Sequence, residues 1–424
     1  METQDCGLLV IGAGHAGSEL AVAARHSGWA DRIVLLGDEC ALPYQRPPLS
    51  KAYLCGESDA NALLLRPAAA YESAGITVKL GARLAAIDRA AHEVTLADGA
   101  RLRYDKLALC TGGRPRLLAC EGIDAADPPP NLFYLRTLAD AEGMRAAIRP
   151  GARLVVIGGG YVGLEVAASA SKLGAAVTVL EAQPRVLARV AGPDLSAFYE
   201  QVHRSHGVDI VTGAAVSRIE CEAGRIVAVR CVGGARLPAE VVVAGVGMVP
   251  NVEAALAAGL AEEGGISVDD LSRSADPDIV AAGDCTRQLH ALYDCTIRLE
   301  SVPNALEQAR AAASWLGGKP KPNRSVPWFW SDQYDLKLQM AGLSQGYDRC
   351  VLRGDPASRS FCAFYLRGER LLAIDAVNRP ADFMLTRRAL AQPRLVQAAQ
   401  LGDEAVLLKD LLTPSAAASF TGKP

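Results

Sequence analysis

The sequence of 424 residues lacks any closely spaced pair of cysteines. Its eleven cysteines are scattered, and the nearest neighbours stand ten positions apart. A redox-active dithiol of the CxxC or CxxxxC type is therefore absent, and so is the close spacing of structural zinc ligands. We expect mostly buried, reduced thiols.

Long apolar runs and an excess of positive charge are also lacking. No stretch approaches the roughly 18 apolar residues that a membrane span needs, and the formal net charge is −3. This balance favours neither a membrane protein nor one that binds nucleic acid through a basic surface. The opening METQDCG does not have the pattern of a signal peptide. We therefore expect a cytoplasmic protein. We also expect a monomer or a weak homodimer.

Histidine is scarce, with six residues in all. His203 and His206 stand three positions apart on a predicted helix, a spacing that can bind a metal. A solvated helix face is the simpler interpretation of two isolated histidines. The sequence therefore predicts no metal site.

Two glycine-rich turns dominate what the sequence does contain. The first lies between the apolar run LLVI and the helical SELAVAARHSG, and its glycines are Gly12, Gly14 and Gly17. In the pattern GxGxxG these permit a tight turn, the approach of a pyrophosphate and close helix–strand packing, respectively. Asp38 and Glu39 end the next apolar run, where an acid can bind ribose hydroxyls. A glycine-rich turn of another α/β protein is the alternative.

The second turn follows the apolar run RLVVI and has the glycines Gly158, Gly160 and Gly163. The next apolar run, AVTVLE, ends at Glu181. An acid at this place accepts ribose hydroxyl groups and repels a 2′-phosphate, so it favours NAD over NADP. Arg185 and Arg189 follow and could soften that preference.

Two dinucleotide-binding units suggest two dinucleotides, and FAD with NADH is the natural pairing. The segment YDKLALCTGGRPR predicts a strand that ends in a Thr111-Gly112 turn. A later segment, ADPDIVAAGDC, ends a strand close to Asp284, which could bind a chain of hydroxyl groups or simply cap a helix.

At this level of detail the sequence resembles the FAD-dependent ferredoxin reductases of the putidaredoxin reductase type, within the glutathione-reductase-like flavoproteins. The resemblance extends over nearly the whole chain and is carried by RPPLSKAYL (46–54), TGGRPR (111–116), YLRTLADAE (134–142), VVIGGGYVGLEVAA (155–168), AGVGMVPN (244–251), GDC (283–285), ESVPNALEQAR (300–310), PWFWSDQY (327–334) and VNRP (377–380).

This resemblance implies an α/β fold of two Rossmann-like domains and a C-terminal α+β domain. The FAD-binding domain would be discontinuous, with residues 1–113 and 250–325. The NAD-binding domain would take residues 114–249. Residues 326–424 would form the C-terminal domain and end in a disordered tail.

The resemblance also implies residue roles. Lys51, after PPLS at a predicted helix start, would lie beside the flavin ring, and Glu165 would lie near both the nicotinamide and the lysine. We treat this pair as catalytic. The positions expected to bind FAD are Gly12, Gly14, Ala16, Gly17, Asp38, Arg46, Lys51, Leu84, Thr111, Gly112, Arg136, Asp284 and Val302. The positions expected to bind NAD are Gly158, Gly160, Tyr161, Val162, Gly163, Glu165, Glu181 and Gly247.

The implied activity is an NADH:ferredoxin oxidoreductase. A hydride would pass from NADH to tightly bound FAD, and electrons would leave singly for a [2Fe–2S] ferredoxin that supplies a cytochrome P450 or a Rieske-type dioxygenase. Without a cysteine pair, the flavin itself should face the acceptor. Arg310 and Trp330 are the expected contacts with ferredoxin, although a solvated arginine and ordinary aromatic packing are the simpler alternatives.

Two other functions remain open. An NADH oxidase or peroxidase would use a cysteine close to the flavin, and Cys40 follows the second strand. The two acids before Cys40 oppose thiolate formation. A non-catalytic, FAD-binding signalling flavoprotein would need a basic surface, which the net charge does not favour.

Overall fold

The computed structural model describes residues 4–413, which form two compact units. The first contains the described residues up to Val186 together with Gln201–Arg324. The second contains Leu187–Glu200 and the described residues from Ser325 onward. This division does not separate the two glycine-turn regions, so the three predicted domain boundaries remain a prediction. The predicted disordered tail lies outside the described residues.

The helices of the described residues are α1 His15–Ser27, α2 Ala68–Ser73, α3 Leu138–Ala147, α4 Tyr161–Lys172, α5 Pro193–Ser205, α6 Glu253–Ala257, α7 Val302–Leu316, α8 Pro380–Ala389, α9 Ala398–Gly402 and α10 Leu408–Leu412. Short 3₁₀ helices span Pro47–Ser50 and Pro356–Ser358.

The strands are β1 Gln4–Asp5, β2 Leu8–Ile11, β3 Ile33–Leu36, β4 Ile76–Lys79, β5 Leu84–Asp88, β6 Glu93–Leu96, β7 Arg101–Arg103, β8 Lys106–Leu109, β9 Gly113–Pro115, β10 Leu132–Phe133, β11 Arg153–Ile157, β12 Ala176–Glu181, β13 Asp209–Thr212, β14 Val216–Glu222, β15 Arg225–Cys231, β16 Arg236–Pro238, β17 Val241–Ala244, β18 Met248–Pro250, β19 Ala261–Glu262, β20 Gly265–Val268, β21 Ile279–Ala281, β22 Thr286–His290, β23 Cys295–Ile297, β24 Trp328–Gln333, β25 Leu336–Gly342, β26 Arg349–Asp355, β27 Ser360–Arg367, β28 Arg370–Val377 and β29 Arg394–Leu395.

The first glycine turn belongs to a parallel sheet with the spatial order β4-β3-β2-β8-β21. Strands β2 and β3 are apolar and buried at every position, as expected of strands covered on both faces. The order reverses between β2 and β8. In sheets of this type, ligands bind outside the carboxyl ends of the strands at such a reversal.

The second glycine turn belongs to another parallel sheet, with the order β13-β12-β11-β17-β10. Here the order reverses between β11 and β17. The predicted strand, helix and strand correspond to β11, α4 and β12, just as β2, α1 and β3 correspond to those predicted for the first turn. Each glycine turn is therefore placed at the reversal point of its own sheet.

Two short strands connect these regions. The antiparallel pair β9 and β18 aligns Gly113 with Pro250 and Pro115 with Met248. The chain leaves the first region along β9 and returns to it along β18. The other sheets of this unit have the orders β1-β7-β6-β5, β14-β15-β16 and β19-β20-β22-β23.

The second unit is built on an antiparallel sheet of order β24-β25-β28-β27-β26, with β29 added to β28. Strands β27 and β28 are almost entirely buried, and α8 packs against β25 and β28.

A buried series of hydrogen bonds lies within this second unit. The Tyr365 hydroxyl donates to Oδ2 of Asp375 at 2.6 Å and accepts from the backbone N–H of Gly192 at 3.0 Å. Burial raises the pKa of Asp375 to about 7. A carboxyl group that stays protonated well above its ordinary range is thus part of this core.

No helix within residues 4–413 combines the length and the hydropathy required to span a membrane.

Candidate functional site: two dinucleotide turns joined by an ion pair

The first glycine turn joins β2 to α1. A Cβ atom at Gly12 would lie 2.1 Å from the Cys110 carbonyl oxygen, because the loop after β8 passes directly beside the turn. A Cβ atom at Gly17 would lie 1.9 Å from the Gly12 carbonyl oxygen. By contrast, a Cβ atom at Gly14 would have no neighbour within 4 Å. The turn is therefore tightly packed on two sides and open at the middle glycine, as a pyrophosphate-binding turn requires.

The second glycine turn, between β11 and α4, repeats this geometry. Cβ atoms at Gly158 and Gly163 would lie 2.4 Å from the Gly245 oxygen and 2.1 Å from the Gly158 oxygen, respectively. A Cβ atom at Gly160 would have no neighbour within 4 Å. The loop after β17 here takes the place of the loop after β8.

Glu181 ends β12 with its carboxylate already oriented. Oε2 accepts the N–H of Gly159 at 2.7 Å, and Oε1 accepts the N–H of Gln183 at 2.7 Å. Each carboxylate oxygen keeps a further lone pair that a ribose hydroxyl group could use. This position suits the predicted NAD contact.

The first turn differs from the second at the corresponding position. Strand pairing places Leu36 opposite Ile11, as it places Leu180 opposite Ile157. The residue that corresponds to Glu181 is consequently Gly37. Asp38 and Glu39 come one and two positions after Gly37.

Of these two acids, Glu39 makes the contacts. Its carboxylate pairs with the Arg46 guanidinium at 2.6 Å and accepts the Tyr44 hydroxyl at 2.5 Å. Arg46 also donates to the Arg136 carbonyl oxygen at 2.7 Å. Arg136 in turn pairs with Asp284 at 3.2 Å. Arg46, Arg136 and Asp284, which lie far apart in the sequence, thus form one cluster with Glu39 and Tyr44. The sequence had indicated no role for Tyr44.

His15, the first residue of α1, lies in the field of this cluster. Burial, followed by the positive charges of Arg46 and Arg136, lowers the pKa of His15 to about 4. His15 is therefore neutral near pH 7. Together with the helix N-terminus, the two guanidinium groups provide a positive environment for a phosphate.

Asn251 secures the turn after β8. Its backbone carbonyl accepts the Thr111 hydroxyl at 2.6 Å, and its side-chain amide donates to the Thr111 carbonyl at 3.0 Å. Its backbone N–H donates to the Gly112 carbonyl at 2.9 Å. A Cβ atom at Gly112 would lie 3.3 Å from the Arg136 side chain, so this turn borders the arginine cluster.

An ion pair joins the two glycine-turn regions. Nζ of Lys51 lies 2.6 Å from Oε2 of Glu165, and the Ser50 hydroxyl donates to the same oxygen at 2.6 Å. Glu165 is 5% exposed and its partner lysine 20%. The predicted helix start at Lys51 was wrong. The two prolines of Pro47–Ser50 begin a 3₁₀ helix that ends just before Lys51.

The other residues expected to bind FAD are dispersed around the first turn. Ala16 is buried in α1, and a Cβ atom at Gly283 would lie 3.2 Å from its side chain. Val302 begins α7 and Leu84 begins β5, and both are half-buried. Asp38 is exposed.

The other residues expected to bind NAD lie at the mouth of the second turn. Tyr161 begins α4 and is half-buried. Val162 is 46% exposed. Gly247 is exposed, next to the strand pair β9–β18.

The two residues expected to contact ferredoxin are in different units. Arg310, at 52% side-chain exposure, pairs with Glu19 at 2.8 Å and with Glu307 at 3.3 Å. Trp330 is half-buried in β24, with its ring centroid 5.6 Å from that of Trp328.

All eleven cysteines lie among the described residues and are free thiols. Cys40 is exposed. His203 is fully buried, so its predicted solvated helix face was wrong. Among residues 4–413 no group of three or more His, Cys, Asp or Glu side chains could hold a metal ion.

Family models match most of the chain. The model for Pyridine nucleotide-disulphide oxidoreductase matches residues 7–309, and the model for Reductase C-terminal matches residues 328–412. The chain belongs to the pyridine nucleotide-disulphide oxidoreductase family.

The chain is similar to several individual members of this family. The chain is 47% identical to putidaredoxin reductase CamA of Pseudomonas putida over 97% of both chains. It superposes on the covalent putidaredoxin reductase–putidaredoxin complex with a TM-score of 0.93 at 47% identity, covering 97% of this chain and 99% of that one. It is also similar to the ferredoxin reductase for the CYP199A2 system from Rhodopseudomonas palustris, with a TM-score of 0.91, 41% identity, and coverage of 95% and 99%. The predicted resemblance, fold class and class of enzyme, an oxidoreductase that uses FAD and NAD(H), are thus confirmed.

The geometry fits both cofactors. At the first turn, the open space at Gly14, the neutral His15 and the cluster of Arg46, Arg136 and Asp284 suit the phosphates and hydroxyl groups of FAD. At the second turn, the open space at Gly160 and the oriented carboxylate of Glu181 suit NAD.

Sequence reasoning did not single out Glu39 over Asp38, nor did it assign roles to Tyr44, Ser50 or Asn251. Ser50 and Asn251 stand inside the quoted motifs RPPLSKAYL and AGVGMVPN. The motifs therefore contained both residues, but the partners of Ser50 and Asn251, which are Glu165 and Thr111, lie far away in the sequence.

Proposed function

We propose that this chain is an NADH-dependent reductase that passes electrons through FAD to a [2Fe–2S] ferredoxin. The ferredoxin would supply an oxygenase such as a cytochrome P450 or a Rieske-type dioxygenase. The observation that carries the proposal is the Lys51–Glu165 ion pair at 2.6 Å, which joins the FAD turn region to the helix that begins at the NAD turn. The similarity to a reductase solved in complex with putidaredoxin supports the choice of acceptor.

Bound FAD would accept a hydride from NADH and release its electrons one at a time. In this proposal Gly14 and Gly160 leave room for the two pyrophosphates, and Asp284 and Glu181 accept hydroxyl groups. Glu181 selects NADH, because a 2′-phosphate would meet its negative charge.

Lys51 and Glu165 act at the junction of the two sites. The ammonium group of Lys51 would face negative charge on the flavin ring, and Glu165 would balance this cation and orient the nicotinamide. Neither residue has to act as a nucleophile.

Bound FAD would pass its electrons to the acceptor without a dithiol relay, because no two of the eleven cysteines have the close spacing of a redox-active pair. Arg310 provides positive charge for an acidic ferredoxin, and Trp330 contributes aromatic contact. The protein would act in the cytoplasm as a monomer or weak homodimer, without nucleic-acid or membrane partners.

The test is an anaerobic titration of the purified, FAD-loaded protein with NADH, followed by ferredoxin-dependent reduction of cytochrome c. We expect NADH to bleach the flavin and cytochrome c reduction to require a [2Fe–2S] ferredoxin. Lys51→Met should slow bleaching, whereas Lys172→Met, which changes a lysine with 61% exposure, should not. Rapid peroxide turnover with slow reduction of every ferredoxin would contradict the proposal.

A further inference from the structure

Ser50 makes two contacts with one face of α4. Its hydroxyl donates to Oε2 of Glu165 at 2.6 Å, and its carbonyl accepts the Ser169 hydroxyl at 2.7 Å. Glu165 and Ser169 are four positions apart and therefore lie on the same side of the helix. Ser50 is only 4% exposed, so water does not compete freely for these bonds.

The Ser50 hydroxyl also links both members of the ion pair. Nζ of Lys51 lies 3.4 Å from Oγ of Ser50. Since a hydroxyl has one hydrogen and two lone pairs, it can accept from the ammonium while it donates to the carboxylate. A contact of 3.3 Å to the Pro47 carbonyl is longer and competes for the same hydrogen.

We propose that Ser50 is a positioning residue for hydride transfer, which holds the Glu165 carboxylate in one orientation. This inference rests on the function proposed above. A lysine has a flexible stem and three equivalent donors, so the ion pair itself imposes little direction on the carboxylate. The short, buried serine side chain adds a directional hydrogen bond to Oε2 of Glu165.

The expected size of the effect follows from the type of bond. Loss of a hydrogen bond to a charged group typically changes an equilibrium constant by about tenfold to a hundredfold. If only part of this orients the nicotinamide, the limiting rate of flavin reduction should fall about tenfold in Ser50→Ala. The dissociation constant of NADH should change less than about threefold, because the contacts at Gly160 and Glu181 remain.

Ser169→Ala is the matched control. It removes a bond of similar length from the same junction, but that bond ends on the Ser50 backbone and does not involve the Glu165 carboxylate. We expect a limiting rate within about twofold of wild type. If Ser50→Ala fails to fold, Ser50→Cys, with a weaker donor of similar size, replaces it.

Rapid mixing of each oxidised, FAD-loaded variant with NADH under anaerobic conditions measures both constants. A double-mutant cycle, followed by thermal unfolding without NADH, gives a readout independent of activity. The losses in unfolding midpoint for Ser50→Ala and Glu165→Ala should sum to more than the loss in the double variant, whereas those of Ser169→Ala and Glu165→Ala should add.

The inference about Ser50 would be overturned if Ser50→Ala had a limiting rate of flavin reduction within twofold of wild type, or if Ser50→Ala and Ser169→Ala slowed it equally. Additive losses in the Ser50–Glu165 cycle would also overturn it. The proposed function would not be affected by any of these results. If NADH fails to bleach the wild-type flavin, the proposed function falls, and this inference with it.

Discussion

Alanine substitutions at Gly160 and Gly163 should harm the protein in different ways. Gly160 is the N-cap of α4, with a φ of −80° that any residue can adopt, and a Cβ atom there has no neighbour within 4 Å. Gly160→Ala should therefore change the free energy of unfolding of the NAD-free protein by less than about 1 kcal/mol, because the gain from a less flexible unfolded chain is opposed by the preference for glycine over alanine at an N-cap. The added methyl group would, however, occupy the open space in which we expect the pyrophosphate of NAD to bind.

Gly163 lies one turn further, inside α4. A Cβ atom there would lie 2.1 Å from the Gly158 carbonyl oxygen, a backbone atom that cannot rotate away. Alanine gains about 1 kcal/mol over glycine in a helix interior, but overpacking of this kind costs about 1–3 kcal/mol or more. Gly163→Ala should therefore lower the free energy of unfolding.

Denaturant unfolding without NAD and calorimetric titration with NAD⁺ separate these effects. Gly160→Ala should keep its unfolding midpoint and bind NAD⁺ at least about tenfold more weakly, a loss of about 1.4 kcal/mol. Gly163→Ala should unfold at lower denaturant concentration. Unchanged NAD⁺ affinity in a stable Gly160→Ala protein would refute the assignment of this space to the pyrophosphate.

Three further substitutions test other parts of the molecule. Glu181→Ala should lower the ratio of kcat/KM for NADH to that for NADPH by about tenfold, since the charge that repels a 2′-phosphate is gone; an unchanged ratio in steady-state assays with both cofactors would argue against this selection. Cys40→Ser should leave ferredoxin reduction unaltered, whereas a peroxidase that uses this thiol would lose peroxide turnover. Between about pH 4 and pH 7 the folded Asp375 carboxyl keeps a proton that the unfolded one releases, so the second unit should become less stable as the pH rises through this range. Asp375→Asn should flatten that pH dependence in unfolding experiments, and an equally steep dependence in the variant would point to other groups.

The glycine turns could be located from the sequence because their requirements are local. Each needs an apolar strand, glycines at fixed spacing and a helix, and all three lie within one short segment. The end of a strand could also be predicted from the sequence, since Glu181 ends β12 as its apolar run predicts. The same reasoning could not choose between Asp38 and Glu39, because the choice depends on Arg46 approaching from a loop.

Long-range pairing accounts for most of what the sequence did not show. The Ser50 hydroxyl meets a carboxylate 115 positions away, and no local pattern encodes such a contact. The same holds for Asn251, which bonds to Thr111 across 140 positions. The family resemblance indicated the role of Lys51, but the predicted helix start at Lys51 was wrong. Pro47 and Pro48 instead begin a 3₁₀ helix that ends before Lys51.

The antiparallel pair β9–β18 has a consequence for how this protein could be rebuilt. Because Gly113 lies opposite Pro250, the chain enters and leaves the intervening segment at neighbouring points. A segment whose ends meet in this way can be exchanged between homologues without lengthening the backbone at either joint. Exchanging residues 116–247 would therefore move the second glycine turn and Glu181 together, but it would also move Arg136 of the arginine cluster and the stretch Leu187–Glu200, which belongs to the second unit.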